Sequence, residues 1–388
     1  MPGGGGVSVV ASFIYKILVD SGRYEPELIS FAVSSRDSAS VRLLSPASWI
    51  QRPKIIKGTW EGKDFLHVGC YFSELEFQRY LPRRILTELL EKYDLIQVVS
   101  GAPTAGFAVT KAKKPVCIFV ATTCKQERGS QMACAKRLTR ARIAFMTRLN
   151  SSMDRRTVKR MSHVFAESEY TRQLLSEMVC KERLSIAPPG VDIDLFSPGG
   201  YRPDNYILSV GRFADPRKNV RMLLLAYYQL LQSIPSTPRL ILAGETGPSA
   251  EDKALAASLG IADRVIILQN VQLEDLSRLY REASLFVLSS IEEGLGIVIL
   301  EAMACGIPVI ATRCGGPDTV IIDGKTGYLI PVGDVNALAK AMMRLLTDPE
   351  LSRRMGEAGR NRVENHFSIQ AAGKIYLEKY DELLSLEL

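Results

Sequence analysis

The sequence predicts an α/β protein built from two doubly wound parallel-sheet domains. Strand-sized apolar runs alternate with amphipathic segments along most of the chain, which is the pattern of consecutive βαβ units. The chain has 388 residues, which is enough for two domains of ordinary size. Pro-Pro-Gly at 188–190 and Ser-Pro-Gly-Gly at 197–200 separate the two halves, and these turn-forming sequences indicate an interdomain connection.

The second half shows the alternation most clearly. Its short strands are apolar without polar alternation, so we expect a parallel sheet that helices cover on both faces. The predicted strands are 206–210, 239–243, 265–268, 285–288 and 308–311, and the predicted helices are 219–233, 251–259, 273–283 and 297–305.

The first half shows the same alternation less regularly. Six apolar residues fall on one face of a helix, namely Val7, Val10, Ala11, Ile14, Ile17 and Leu18. A long basic helix is expected over 130–160, and the tail 368–388 has the pattern of a final amphipathic helix. The predicted strands are 28–32, 65–68, 95–99, 116–121 and 163–166.

The composition excludes several classes of protein. Apolar residues make up 46% of the chain and charged residues 23%, which is typical of a folded globular protein. No apolar run reaches the roughly 18 residues of a membrane-spanning helix. The seven cysteines include no CxxC, so we expect no disulfide framework and a protein that lies in the reducing cytoplasm. There are only three histidines, so we expect no metal site.

The strongest chemical motif is a nine-residue window that begins at Glu293 and ends at Glu301. Gly294 and Gly296 allow main-chain N–H groups to approach an anion, and the start of the following helix adds a partial positive charge. We therefore expect a phosphate near Leu295–Ile297, ribose hydroxyls at Glu301 and a sugar beyond the phosphate at Glu293. A glycine turn with two capping acids is the structural alternative.

A second motif follows the predicted strand 206–210. Gly211 and Arg212 begin a loop that ends with Lys218, at the carboxyl end of a strand, where open α/β sheets bind ligands. Arg212 and Lys218 could neutralise the two charges of a diphosphate, with Arg217 as a competitor for the role of Lys218. A solvated βα turn is the structural alternative.

The positive charge of the chain is concentrated in one segment. Residues 124–160 contain eleven Lys and Arg residues but only two acids, in a chain whose net charge is +7. One interpretation is a solvated helix with an ordinary core face. The other is a surface for anionic lipid headgroups or for an anionic acceptor. Nucleic acid is not expected as a partner, since no aromatic stacking platform accompanies the charge.

Taken together, the motifs resemble the donor domain of the retaining glycosyltransferases of family 4, which have the GT-B fold. The resemblance implies two Rossmann-like domains that face each other across a cleft. Residues 1–188 would bind the acceptor, residues 189–367 the donor, and the helix 368–388 would cross back to the first domain. The matching residues are Gly211-Arg212…Lys218, Glu293…Glu301, Gly315-Gly316-Pro317-Asp318, Gly333-Asp334 before Leu338-Ala339, and Pro189-Gly190-Val191-Asp192 through Phe196-Ser197-Pro198.

The resemblance also implies roles for residues of the donor site. Arg212 and Lys218 would hold the donor pyrophosphate, Glu301 the ribose and Glu293 the transferred sugar. The main chain from Val271 to Leu273 would meet the nucleobase. Glu293, Arg212 and Lys218 are therefore the expected catalytic residues. Since cationic side chains neutralise the leaving group in this family, neither a metal ion nor a cofactor besides the nucleotide sugar is expected.

The acceptor side carries fewer matches. Gly5 and Gly6 resemble the glycine loop of the family, which normally follows a first β-strand, and we expect that central strand to be missing here. Thr122 stands near the position where the family commonly places a histidine, and it is a weak substitute.

These features predict transfer of a sugar, with retention at the anomeric carbon, from a nucleotide diphosphate sugar to an acceptor hydroxyl. The acceptor would be a glycan, a lipid-linked molecule or a small molecule. The expected location is the cytoplasm, where segment 124–160 could attach the protein to the inner face of the membrane. The alternatives are an epimerase or phosphorylase of the same fold and a non-catalytic module that binds sugar nucleotides or lipids.

Overall fold

A computed structural model of the chain describes residues 6–32, 34–129, 137–199 and 205–386. The chain divides into two compact units. The first contains Met1–Glu167, Thr171–Ala187 and Gly373–Leu388, and the second contains Ser168–Tyr170 and Pro188–Ala372.

The first unit contains two sheets. β1 (Leu28–Phe31), β2 (Ile55–Trp60) and β3 (Lys63–Val68) form one sheet, in which β3 is parallel to β1 and antiparallel to β2. The other sheet is fully parallel in the order β4-β5-β6-β7, and no described strand joins it to the first. Its strands are β4 (Ile96–Ser100), β5 (Val116–Val120), β6 (His163–Ala166) and β7 (Leu184–Ile186).

The strand β2 was not predicted from the sequence. It forms a hairpin with β3 through Glu61 and Gly62, both of which have positive φ values, 50° and 73°. Four of its six residues are exposed, so it lacks the buried apolar run that identified the other strands.

Six helices accompany these sheets in the described part of the chain. The last of them, α6, lies partly in each unit, because Glu169 and Tyr170 are grouped with the second. The helices are α1 (Gly6–Asp20), α2 (Glu76–Tyr80), α3 (Arg84–Leu90), α4 (Cys124–Glu127), α5 (Arg137–Arg160) and α6 (Glu169–Ser176).

The second unit contains one parallel sheet of six strands in the order β10-β9-β8-β11-β12-β13. Apolar clusters cover both of its faces, as the apolar strand sequences predict. The strands are β8 (Tyr206–Val210), β9 (Arg239–Gly244), β10 (Val265–Gln269), β11 (Leu285–Leu288), β12 (Val309–Thr312) and β13 (Tyr328–Ile330). The last strand is too short for its apolar pattern to have been recognised. The doubly wound α/β class is confirmed.

Helices of this unit connect and flank the strands, and the final helix, α14, continues into residues of the first unit. The C-terminal tail was expected to leave the second unit at residue 368, but it is grouped with the first unit only from Gly373. The N–H of Ile369 still donates to Val191 O, in the second unit, at 3.2 Å. The helices are α7 (Val220–Ser233), α8 (Ala250–Ser258), α9 (Leu273–Glu282), α10 (Ile297–Ala304), α11 (Pro317–Val320), α12 (Val335–Thr347), α13 (Pro349–His366) and α14 (Ile369–Ser385).

Candidate functional site

The candidate site lies at the topological switch point of the six-stranded sheet. The chain runs from β8 to one side of the sheet and from β11 to the other, so the loops after these adjacent strands diverge. Open α/β sheets bind ligands in the crevice that forms there. These two loops, 211–219 and 289–296, contain both motifs singled out in the sequence.

The loop after β8 packs closely on the neighbouring strand. The Gly211 N–H donates to Ala243 O at 3.0 Å. A Cβ at Gly244 would lie 2.0 Å from Gly211 O, so only glycine fits there. The aliphatic stem of Lys218 comes within 3.5 Å of where a Gly211 Cβ would stand. The main chain therefore directs the Lys218 side chain back across the start of the loop.

Lys218 and Glu293 form an ion pair that joins the two loops. Lys218 Nζ lies 2.6 Å from Glu293 Oε1, and the Ser290 hydroxyl donates to the same oxygen at 2.6 Å. The two charged side chains are only 16% and 14% exposed. The Ser289 hydroxyl donates to Lys218 O at 3.0 Å, which fixes the lysine main chain as well. A cation and an acid are therefore held together where the sequence predicted a diphosphate and a sugar.

The other two basic residues of this loop differ in their surroundings. Arg217 forms an ion pair with Asp215, with Nη2 2.7 Å from Oδ2 and Nε also bonded to the carboxylate. This pairing raises the pKa of Arg217 and occupies its guanidinium. The Arg212 side chain is exposed and makes no hydrogen bond or ion pair with the described residues, although its carbonyl oxygen accepts the Asp215 N–H at 2.9 Å. Arg217 is thus paired within its own loop, Lys218 is paired across the two loops, and the Arg212 side chain faces solvent.

The glycine-containing loop enters α10 through a left-handed residue. Gly296 has φ +86° and directly precedes Ile297, the first residue of α10. Leu295 is buried, and a Cβ at Gly316 would lie 2.3 Å from its Cα. Gly294 is equally close, because its carbonyl oxygen would lie 2.4 Å from the same Cβ. This tight packing holds the start of α10 at the carboxyl end of β11.

Glu301 lies in the second turn of α10 and is partly buried. The Tyr280 hydroxyl donates to Glu301 Oε2 at 2.6 Å. Burial raises the pKa of the Glu301 carboxyl despite this hydrogen bond. Its other carboxylate oxygen can accept hydroxyl groups of a ligand.

We expect Glu301→Gln to weaken donor binding without weakening the fold. The raised pKa means that the folded chain binds this proton more tightly than the unfolded chain, so the charged carboxylate destabilises the fold above the folded pKa. Glutamine removes that charge and can still accept from Tyr280. The melting temperature at pH 7 should stay level or rise, while the donor KM rises about tenfold through weaker hydrogen bonds. Calorimetry and donor titration measure both effects, and an unchanged donor KM would contradict the assignment.

The residues predicted to meet the nucleobase lie farther along the same edge. Val271 and Leu273 follow β10, which is two strands from β8 in the sheet order. At about 4.8 Å per strand, this places them about 10 Å from the loop after β8. Val271 packs against the core, whereas Leu273 is 51% exposed at the start of α9. Their contact with a base stays a prediction.

The predicted acceptor residues belong to the first unit. Gly5 lies outside the described residues, and Gly6 is the first residue of α1. Thr122 follows β5, where its N–H donates to Gly101 O at 2.8 Å. The Thr122 hydroxyl is buried and has no hydrogen-bond partner among the described residues. The acceptor role of these three residues stays a prediction.

Several residues that shape the site were not predicted. Ser290 bonds to Glu293, Tyr280 bonds to Glu301, and the Thr312 hydroxyl donates to Ser290 O at 2.5 Å. The available signal was the small polar pair 289–290 directly after β11, since side chains at that position face the crevice. Tyr280 gave no signal in the sequence, because it lies on α9, the helix that precedes β11.

Asp192 and Asp194 have the D-x-D spacing of some metal sites. In the structure, Asp192 Oδ1 accepts the N–H groups of Asp194 and Leu195, each at 3.1 Å. This is the turn geometry expected after Gly190.

Comparisons with known proteins agree with this geometry. The family "Glycosyl transferases group 1" matches residues 192–362, and "Glycosyltransferase Family 4" matches residues 4–195. These two families define the class of the protein, a GT-B glycosyltransferase. The chain belongs to the group 1 glycosyltransferases.

Two relatives illustrate this similarity. One is the GDP-mannose-dependent alpha-(1-6)-phosphatidylinositol monomannoside mannosyltransferase of Mycolicibacterium smegmatis, 31% identical over 299 residues, which are 71% of this chain and 74% of that protein. The other is D-inositol 3-phosphate glycosyltransferase 2 of Catenulispora acidiphila, 37% identical over 201 residues, which are 47% of this chain and 46% of that protein.

A solved structure shows the same fold over nearly the whole chain. Sucrose-phosphate synthase from Thermosynechococcus elongatus matches with a TM-score of 0.73 at 22% identity, covering 98% of this chain and 94% of that one. The predicted GT-B fold is thereby confirmed.

Proposed function

We propose that this glycosyltransferase transfers a hexosyl group from a nucleotide diphosphate sugar, with retention at the anomeric carbon and without a metal ion. The observation that carries the proposal is the Lys218–Glu293 pair beside the loop that enters α10. The pair provides a cation for the leaving diphosphate and an acid for the sugar, within one crevice.

The chemistry rests on stabilising the charge that develops on the departing diphosphate. Arg212 can grip phosphate oxygens in bidentate fashion, and Lys218 supplies a point charge. The start of α10 at Ile297 adds a partial positive charge. The helix start is already oriented in the folded chain, so this group needs no reorganisation during the reaction. Glu301 would accept the ribose hydroxyls.

Both oxygens of Glu293 would become available to the sugar when Lys218 turns towards the diphosphate. In the structure, Lys218 Nζ and the Ser290 hydroxyl both bond to Glu293 Oε1, and Oε2 is not part of either bond. Two phosphate charges attract the ammonium more strongly than one carboxylate. Donor binding would therefore transfer Lys218 to the diphosphate and leave Glu293 to accept hydrogen bonds from sugar hydroxyls.

We propose that the acceptor is anionic and membrane-associated. The two relatives are named for acceptors that contain phosphatidylinositol or inositol phosphate. On α5, seven basic side chains are exposed and bonded to no described residue, while its one acid, Asp154, is buried and accepts the N–H of Cys124 at 3.0 Å. Phe145 is 69% exposed on the same helix. The exposed basic residues are Arg140, Arg142, Arg148, Arg155, Arg156, Lys159 and Arg160.

Attachment through α5 predicts salt-sensitive binding to anionic vesicles. Each basic residue near an anionic surface contributes about 1 kcal/mol, so replacing four of them by glutamine should weaken binding at least about tenfold. The variant is Arg148→Gln, Arg155→Gln, Arg156→Gln and Lys159→Gln together. A variant with the same charge change elsewhere, at Lys181, Lys253, Lys325 and Lys340, is the control. Sedimentation with phosphatidylserine vesicles measures binding, and equal loss in both variants would contradict a role for α5.

No helix in the described part of the chain is both long and apolar enough to cross a bilayer. Attachment through α5 would therefore be peripheral.

The decisive experiment for the proposed activity is a donor screen followed by product analysis. UDP-, GDP- and ADP-sugars are compared by thermal shift, where a donor at 100 times its Kd should add about 2.7 kcal/mol of stability. The stabilising donor is then incubated with inositol phosphate and with phosphatidylinositol vesicles. NMR of the product should show the anomeric configuration of the donor. An inverted product excludes retention, and donor consumption without any acceptor indicates an epimerase.

A further inference from the structure

The segment Ser168–Tyr170 packs against the loops of the donor unit. The chain before and after it is grouped with the first unit, whereas these three residues are grouped with the second. The Glu169 N–H donates to Thr319 Oγ1 at 3.1 Å, on the loop that follows Gly315 and Gly316. This contact fixes the position of Tyr170 relative to that loop.

The ring of Tyr170 lies directly on Gly315. A Cβ at Gly315 would stand 2.8 Å from Tyr170 Cδ1 and 2.9 Å from Cγ, and Gly315 has φ +106°. Both the ring and the backbone conformation therefore require glycine at this position. The surface beneath the ring is main chain, so the ring can press on it without displacing another side chain.

The main chain under the ring also holds Glu293. Glu293 and Gly315 form a parallel bridge, in which the Glu293 N–H donates to Cys314 O at 3.1 Å and the Gly316 N–H donates to Glu293 O at 2.9 Å. Both peptide groups of Glu293 are thus bonded to the loop that Tyr170 covers. Movement of the ring would release the loop and, with it, the direction of the Glu293 side chain.

The hydroxyl of Tyr170 makes a second contact, with the residue before Glu293. It is hydrogen-bonded to the Glu292 carboxylate, whose pKa is raised by burial and lowered in part by Arg217. Glu292 and Glu293 are adjacent acids, and one ammonium, that of Lys218, is bonded to Glu293. A carboxylate held by the tyrosine hydroxyl cannot compete for that lysine.

We propose that Tyr170 is a positioning residue for Glu293. Its ring clamps the bridge that carries the Glu293 main chain, and its hydroxyl keeps Glu292 away from Lys218. This inference rests on the proposed function of Glu293 at the transferred sugar. Tyr170 itself need not touch the donor, so it should affect turnover more than donor binding.

The test compares Tyr170→Phe with Tyr228→Phe, a partly buried tyrosine on α7 that serves as the matched control. With donor saturating, Tyr170→Phe should lower kcat about tenfold and leave the donor KM within about twofold. Glu292→Gln removes the competing charge and still accepts the tyrosine hydroxyl, so it should leave kcat within about twofold, and adding it to Tyr170→Phe should recover part of the lost turnover. An unchanged kcat in Tyr170→Phe, or a change confined to KM, would overturn the inference.

A second measurement separates this inference from the proposed function. Hydrogen exchange of the Glu293 and Gly316 amides reports the bridge without requiring transfer. Tyr170→Ala, which removes the ring, should speed their exchange about tenfold, and Tyr228→Ala should not. Faster exchange in a chain that transfers no sugar would support the positioning role and count against the proposed function alone. Unchanged exchange would overturn the positioning role whatever the activity.

Discussion

Lys218→Ala is expected to lower kcat/KM for transfer by about 10²- to 10³-fold. Removing one oriented group that stabilises developing negative charge has a cost of this size in other enzymes. The lysine lies where the two loops of the crevice meet, and its stem is held against Gly211. Only the ammonium end therefore has to turn from Glu293 to the diphosphate when the donor binds. Steady-state kinetics with the donor identified by the screen measures the effect.

Two further variants make this result specific. Lys218→Arg keeps the positive charge and should recover part of the activity. Arg221→Ala removes an exposed cation in the first turn of α7 and should leave transfer unchanged. Equal losses in Lys218→Ala and Arg221→Ala would indicate that only the overall charge matters, which contradicts a diphosphate contact at Lys218.

The same change should also destabilise the unliganded chain. Glu293 would remain partly buried without its cation, and removing one partner of such a pair is more costly than never forming it. A combined Lys218→Ala and Glu293→Gln variant should therefore melt at a higher temperature than Lys218→Ala alone. Calorimetry measures the difference, and equal melting temperatures would show that the pair contributes nothing to the fold.

The fold of the second unit was largely predictable because its strands are buried on both faces. Every residue of the strands 285–288 and 206–210 is buried, so a predominantly apolar run is enough to identify each strand in the sequence. Right-handed crossovers then determine the face that each connecting helix covers. The strand order, which places the two motif loops next to each other, came from the structure. The exposed hairpin strand β2 and the three-residue strand β13 carry no such signal.

Only those parts of the site that depend on residue spacing along the sequence could be predicted. The seven residues between Glu293 and Glu301 fix one acid on the loop and one on α10. The choice between Arg217 and Lys218 depended on the pair between Arg217 and Asp215, which are two residues apart. Tyr280 bonds to Glu301, and Tyr170 packs on the loop bonded to the Glu293 main chain; both come from other elements of the chain, so no spacing rule could identify them.

The second large effect is expected for Glu293→Gln, which should lower kcat by at least about 10²-fold when the donor is saturating. Glycosyl transfer passes through a sugar that carries partial positive charge, and a carboxylate stabilises this charge and its hydroxyl groups better than an amide does. Glutamine has the same shape and can still accept the Ser290 hydroxyl. The loss would therefore arise from the missing charge rather than from a changed loop.

Donor affinity should respond to the same substitution in the opposite direction. In the unliganded chain, Lys218 is paired with Glu293, with 2.6 Å between Nζ and Oε1. Glutamine releases that ammonium for the diphosphate, so the donor Kd should stay level or fall while kcat falls. Titration calorimetry with the intact donor measures the Kd, and Glu251→Gln, an exposed acid on α8, serves as the control. Normal turnover in Glu293→Gln would remove its assigned role, and a parallel loss of affinity and turnover would show that Glu293 binds the donor before it assists the reaction.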